Sequence, residues 1–145
     1  MNQKKIEVYI TNDSINEVSI GKDCDFKNYK IMLVDSFKLS CYIRSSLNIN
    51  GKFGSVKLYM DLLSTGTIKG STREFEFEGL EARVTADEFI VKKCNLNVKH
   101  GSISNVNVTD ELTVTAGSGS RITYIGNPVI KSVDITGGAQ LMQKK

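Results

Sequence analysis

The sequence is poor in the residues that most metal and nucleic-acid sites need. There is one histidine, His100, and no tryptophan. The three cysteines, Cys24, Cys41 and Cys94, form no CxxC pair. A structural zinc site draws about four close ligands from Cys and His, and this chain does not offer them. The odd number of thiols is read as three buried small hydrophobes, with a disulfide between some two of them left open. Aromatics are only 8% of the chain, and the net charge of +3 comes from lysines that are scattered rather than gathered in a stripe. That argues against nucleic acid as a partner. No run of about 18 apolar residues occurs, so no helical membrane span is expected. Lys4 and Lys5 are followed by IEVYITNDS, not by the apolar core of a signal peptide. Proline occurs once, at Pro128, and no Ser/Gly linker divides the sequence, so residues 1–145 are expected to form one domain.

Helical periodicity is nearly absent too. Alternation takes its place: IEVYI at 6–10, FKLSCYI at 37–43, SVKLYM at 55–60, EFEFEG at 74–79, ELTVTAG at 111–117 and SVDITGG at 132–138. Apolar residues two apart share one face of a strand. The first inward residues of the clearest runs, Val56, Phe75, Phe89, Leu112 and Val133, are separated by 19, 14, 23 and 21 positions. A unit of about twenty residues holding two or three short strands cannot bury its apolar face alone, and stacking such units makes a continuous core. An antiparallel sandwich also has short alternating strands, but it does not require one frame to return at this interval. The expected fold is therefore all-β, a parallel β-helix (solenoid) with coils of about 20 residues. Residues 51–141 carry its clearest repeats, and 1–50 supply N-terminal coils or a cap. Glycines 66, 70, 79, 101, 117, 119, 126, 137 and 138 are assigned to the corners. The tail Leu141–Lys145 is read as a modest cap. Asn48, Asn50, Asn95, Asn97, Asn105 and Asn107 are turn residues or rungs of an amide ladder.

Chemistry is harder to find. Glycoside cleavage needs two carboxylates across a sugar. Asp87-Glu88 and Asp110-Glu111 are sequence neighbours, which point to opposite faces of a strand. Glu74, Glu76 and Glu78 share a face and read as solvated surface. His100 sits in a turn, no G-x-S-x-G elbow exists, and Gly117-Ser118-Gly119 precedes a strand rather than opening a phosphate-binding helix. Asp23-Cys24-Asp25 offers too few oxygens for calcium. No catalytic residue, metal site or cofactor is expected. The outward positions Thr113, Thr115, Arg121, Thr123, Asp134 and Thr136 remain as a candidate recognition surface.

Leu112-Thr113-Val114 leads into the corner Gly117-Ser118-Gly119, and Tyr124-Ile125-Gly126-Asn127-Pro128 makes a closing turn. In these residues the chain resembles the head-GIN domain family of auto-transporter adhesins, closely over 111–141 and more loosely over 55–110. The resemblance implies a right-handed parallel β-helix akin to pectin lyases but without their active sites. It also implies an envelope or secreted location in Bacteroides-type bacteria, and a carbohydrate or a host or cell-surface protein as partner. Gly117, Ser118, Gly119, Tyr124, Gly126, Asn127 and Pro128 are then its structural motif. Two other readings compete. Leu62–Gly70 has some likeness to a rung of the bactofilins, which suits a cytoplasmic scaffold self-assembling through solenoid ends or faces. A polysaccharide lyase or hydrolase is the third.

Overall fold

The computed structural model describes residues 15–145, all of them strand, turn or irregular and none helical. The alternation at 6–10 lies outside the described residues. Ten strands follow one another: β1 (Glu17–Ile20), β2 (Asp25–Lys27), β3 (Met32–Cys41), β4 (Ser46–Asp61), β5 (Thr65–Leu80), β6 (Arg83–Lys99), β7 (Ile103–Ala116), β8 (Arg121–Ile125), β9 (Val129–Ile135) and β10 (Gln140–Gln143). Every pairing between them is parallel. The chain is a β-solenoid of about seven turns with coils near 19 residues.

The register shows how the coils were hidden in the sequence. Ser46 pairs with Thr65, Thr65 with Arg83, Arg83 with Ile103, Ile103 with Arg121, and Arg121 with Gln140. Each long strand bends and resets its inward phase, so one strand supplies more than one side of a coil. In β4, Leu47, Ile49 and Phe53 point inward, and after the bend Val56, Leu58 and Met60 do. One inward column runs Val56, Phe75, Cys94, Leu112, Ile130. Phe89 and Val133 are therefore not part of that column, contrary to the sequence reading. Val133 stacks on Val114, and Ile130 stands over Leu112. Phe89 stacks on Gly70, on the neighbouring side of the coil, and its place is taken by Cys94, whose small polarisable thiol packs as a hydrophobe. The uneven steps of 14 and 23 came from mixing two sides. Between the sides runs a chain of rings: Phe37 to Phe53 at 5.5 Å, Phe53 to Phe89 at 6.1 Å, Phe89 to Phe75 at 5.6 Å and Phe75 to Phe77 at 6.3 Å.

One corner of the coil carries every described non-glycine residue with positive φ: Asp23, Ile43, Arg44, Leu62, Leu63, Glu81, His100 and Ser118. Such residues cost about 1–2 kcal/mol each in this conformation. The turn is maintained because it aims the amides of several of them, or of their neighbours, at the next rung. Asp23 N–H donates to Ile43 O at 3.0 Å, Arg44 to Leu62 O at 2.9 Å, Leu63 to Glu81 O at 2.8 Å and Gly101 to Ser118 O at 2.9 Å. Next to it the chain re-enters through a stacked column of small residues, Ser45, Ser64, Ala82, Ser102 and Ser120, all buried. The Ser64 and Ser102 hydroxyls accept from the amides of Ser45 and Ala82, each at 3.2 Å.

Not all the glycines turn corners. Gly66 and Gly79 lie inside β5 with their missing side chains toward the core, where a Cβ would stand 3.0 Å from Leu47 and 2.8 Å from the Phe77 ring. Nor is the tail a cap. Gln140–Gln143 forms β10, which pairs with β8 as one more rung. The asparagines form no amide ladder: Asn95 sits between Glu76 and Thr113, and Asn97 between Glu78 and Thr115.

Candidate binding face

Outward side chains on the side of the coil that follows the bend line up across β3 to β7 in two rows. One reads Lys38, Lys57, Glu76, Asn95, Thr113, and the other Ser40, Tyr59, Glu78, Asn97, Thr115. Parallel stacking sets neighbours in a row about 4.8 Å apart. An open groove of about 360 Å³ runs over β3 to β6 between these rows, with a smaller hollow beyond it beside Glu74, Lys93 and Glu111. Lys57 reaches Glu76 at 3.9 Å with both groups well exposed, a pair that contributes little to stability and leaves the side chains free to reorient.

Tyr59 lines the groove, and Tyr42 stands beside it toward the strained corner, outside the lining, with ring centroids 5.6 Å apart and tilted by 47°. Tyr42 is 39% exposed. The Tyr59 hydroxyl donates to Asp61 Oδ2 at 3.1 Å, and the Asp61 Oδ1 accepts the Ile43 amide at 3.0 Å. Desolvation first, then the bond to Asp61, push the Tyr59 phenol above its ordinary range. Asp61→Asn is expected to lower the Tyr59 titration point part of the way, since desolvation remains. An alkaline ultraviolet titration, against Tyr59→Phe to identify the signal, measures it.

The carboxylates that line the groove, Glu76 and Glu78, come from one strand. Glu74, Glu76 and Glu78 are exposed and lie along one strand, so they approach a ligand from the same side. Their neighbours across the coils are Ser55 and Lys93, Lys57 and Asn95, and Tyr59 and Asn97. Among the described residues no cluster of three His, Cys, Asp or Glu is placed to hold a metal ion. His100 is an exposed corner residue with φ of 56°. All three cysteines are free, and Cys24 is exposed, contrary to the expectation that all are buried. Burial pushes the Cys41 thiol up to about 12, with Asp61 adding to it, and raises Cys94 further.

The motif residues of the sequence reading fall at turns and at the end of the core. Ser118 and Gly119 occupy the positive-φ corner, with φ of 51° and 74°. Gly117 donates to Val98 O at 3.0 Å. Tyr124 packs half-buried against the core, and Gly126 takes φ of 104° where a Cβ would lie 2.1 Å from Val108 O. Asn127 and the Gly126 carbonyl accept from Gln143, at 3.2 and 2.8 Å, and Pro128 leads into β9. What the sequence missed was the tyrosine pair, since Tyr42 and Tyr59 are brought together only once the coil length is known.

The family model described as "Putative auto-transporter adhesin, head GIN domain" matches residues 1–128. No curated protein matches the chain. A crystal structure described as a "Putative lipid binding protein" from Parabacteroides distasonis ATCC 8503 is similar, with a TM-score of 0.59 at 15% identity. The similarity covers 90% of this chain but only 60% of that one, and at this identity it speaks to the fold alone.

Proposed function

Because the chain belongs to the head GIN domain family, we propose that it is a non-catalytic binding solenoid of the cell surface whose groove over β3 to β6 holds a polar glycan. The observation that carries this reading is the Tyr42–Tyr59 pair, of which Tyr59 lines the groove, beside rows of hydroxyl, amide and charged side chains. A pyranose has an apolar C–H face and a rim of hydroxyls. Tyrosine rings suit the first, with little conformational entropy to lose, and Ser, Asn, Thr and Glu suit the second. The open shape agrees with presentation of a surface rather than enclosure of a reacting bond.

The test is a glycan array followed by titration calorimetry on the best ligand. Tyr42→Ala is expected to weaken binding at least about tenfold, or ~1.4 kcal/mol, with the β-type circular dichroism retained because Tyr42 lies outside the buried core. A wild-type protein that retains no glycan, or binding indifferent to Tyr42, overturns the reading. Incubation with acidic polysaccharides is expected to release no reducing ends or unsaturated products. Protease treatment of intact cells is expected to remove the protein.

A further inference from the structure

The charged side chains that line the groove over β3 to β6 are not equivalent. Lys57 reaches Glu76 at 3.9 Å, and Lys38 reaches Glu17 of β1 at 3.8 Å. Glu78 also lines the groove and is exposed, yet it pairs with no lysine or arginine among the described residues. With Glu17 counted, the groove sets three carboxylates against two ammonium groups. Its local excess is negative, although the whole chain stands at +3. Across the coils Glu78 lies between Tyr59 on one rung and Asn97 on the next. Rungs about 4.8 Å apart let three such side chains converge on one small group. The Tyr59 hydroxyl spends its hydrogen on Asp61 Oδ2, so it offers the groove only lone pairs. Asp61 is itself anchored, since its other oxygen accepts the Ile43 amide at 3.0 Å. Glu78 offers acceptors alone, and Asn97 adds a carbonyl oxygen. The charge of Glu78 is felt at this point: after desolvation and Asp61, it is among the causes that hold the Tyr59 phenol above its ordinary range.

We infer that Tyr59, Glu78 and Asn97 form the subsite for a protonated amine, so that the glycan held in the groove carries an amino sugar whose nitrogen is not acylated. The inference rests on the glycan-binding reading and names the class of glycan. An ammonium group has three donors and no acceptor. A phenol oxygen, a carboxylate and an amide oxygen supply one acceptor each, and the bond to the carboxylate is charge-assisted. The same positive charge is attracted by a tyrosine ring, and two rings stand here with centroids 5.6 Å apart. A sugar hydroxyl in that place brings one donor and no charge. An N-acetyl group removes the charge as well, and the carboxylate of an acidic sugar is repelled by Glu78. Lys38 and Lys57 do not undo this preference, because each already stands beside another carboxylate.

The experiment presents the 145-residue chain with an array of matched oligosaccharides in mildly acidic buffer, where the amines are protonated. Each sugar is printed as the free amine, as its N-acetyl derivative and as the parent hydroxyl compound; oligomers of glucosamine, N-acetylglucosamine and glucose make one such set. Calorimetry on the best set then measures the affinities. The amine is expected to bind at least about tenfold tighter than either neutral member. Glu78→Gln replaces an exposed side chain, so the β-type circular dichroism is expected to persist while the preference for the amine is lost. Tyr59→Phe keeps the ring but deletes the acceptor, and is expected to narrow the preference. Glu88→Gln deletes the same charge outside the groove, where Glu88 pairs with Lys69, and is expected to keep it. Glycans that bind with no preference for the amine overturn the subsite and leave the glycan reading standing. A preference that falls as far in Glu88→Gln as in Glu78→Gln also overturns the subsite, because net charge then carries the effect. A chain that retains no glycan of any kind overturns both.

Discussion

Gly70→Ala is expected to be among the most damaging single substitutions in the chain, lowering stability by about 4 kcal/mol. Gly70 adopts φ of +115°, and a Cβ there would stand 1.8 Å from the carbonyl oxygen of Gly51, its partner on the previous coil. The obstacle is backbone in a parallel ladder, so it cannot swing aside as a side chain would. Two costs add: about 1–3 kcal/mol for a non-glycine residue held in this region, and about 1–3 kcal/mol for the coils forced apart. A domain of this size has only about 5–15 kcal/mol in all. Gly101→Ala is the matched comparison. It too has positive φ, +72°, but nothing lies within 4 Å of the added methyl, and its expected cost is only the backbone one, about 1–2 kcal/mol. Urea unfolding of the two variants measures the difference. Equal midpoints would show that the contact across the coils is not what fixes glycine at position 70.

Phe75→Ala is expected to cost about 3–5 kcal/mol, the range for truncating a buried aromatic. Phe75 is 1% exposed and touches rings on both sides of the bend, Phe77 on its own side and Phe89 on the next. Its neighbours belong to a closed hydrogen-bonded coil, so the walls cannot collapse into the gap and most of the cavity term remains. Val133→Ala is the contrasting case, at the open end, and should cost less than about 1.5 kcal/mol. If the two changes shift the thermal midpoint equally, the core is not the continuous column described.

The sequence made the solenoid legible because alternation recurs at about the right interval, and Phe75 and Leu112 were placed in one column from spacing alone. It did not show that Phe89 belongs to another side. Nothing local distinguishes Glu88-Phe89-Ile90-Val91 from Glu74-Phe75-Glu76-Phe77. The difference is the reset of phase at the bend, and that is settled by pairing with Gly70 one coil away. For the same reason Cys94, read as a buried thiol, was not placed in the column of Phe75, and Cys24 was expected inside when it lies outside. The binding face was half legible. Its threonines could be picked out as outward, but Tyr42 and Tyr59 are 17 positions apart, and a near-coil separation means contact only after the coil length is fixed by the whole stack. The strained corner was legible only at its glycine-bearing rungs, His100-Gly101 and Gly117-Ser118-Gly119; Leu62, Leu63 and Ile43 gave no signal, since leucine and isoleucine are poor choices for positive φ. They are held there by hydrogen bonds to the next rung.

The parallel ladders have a mechanical consequence. Bonds between successive rungs point along the solenoid axis, so a load applied between the chain's ends pulls on them in series rather than shearing many at once. Such a molecule yields at modest force from an exposed terminus. Each peeled coil near 19 residues frees roughly 65 Å of chain at about 3.5 Å per residue. Under tension the fold therefore behaves as a spool that lengthens in steps, with the rungs still wound keeping their shape.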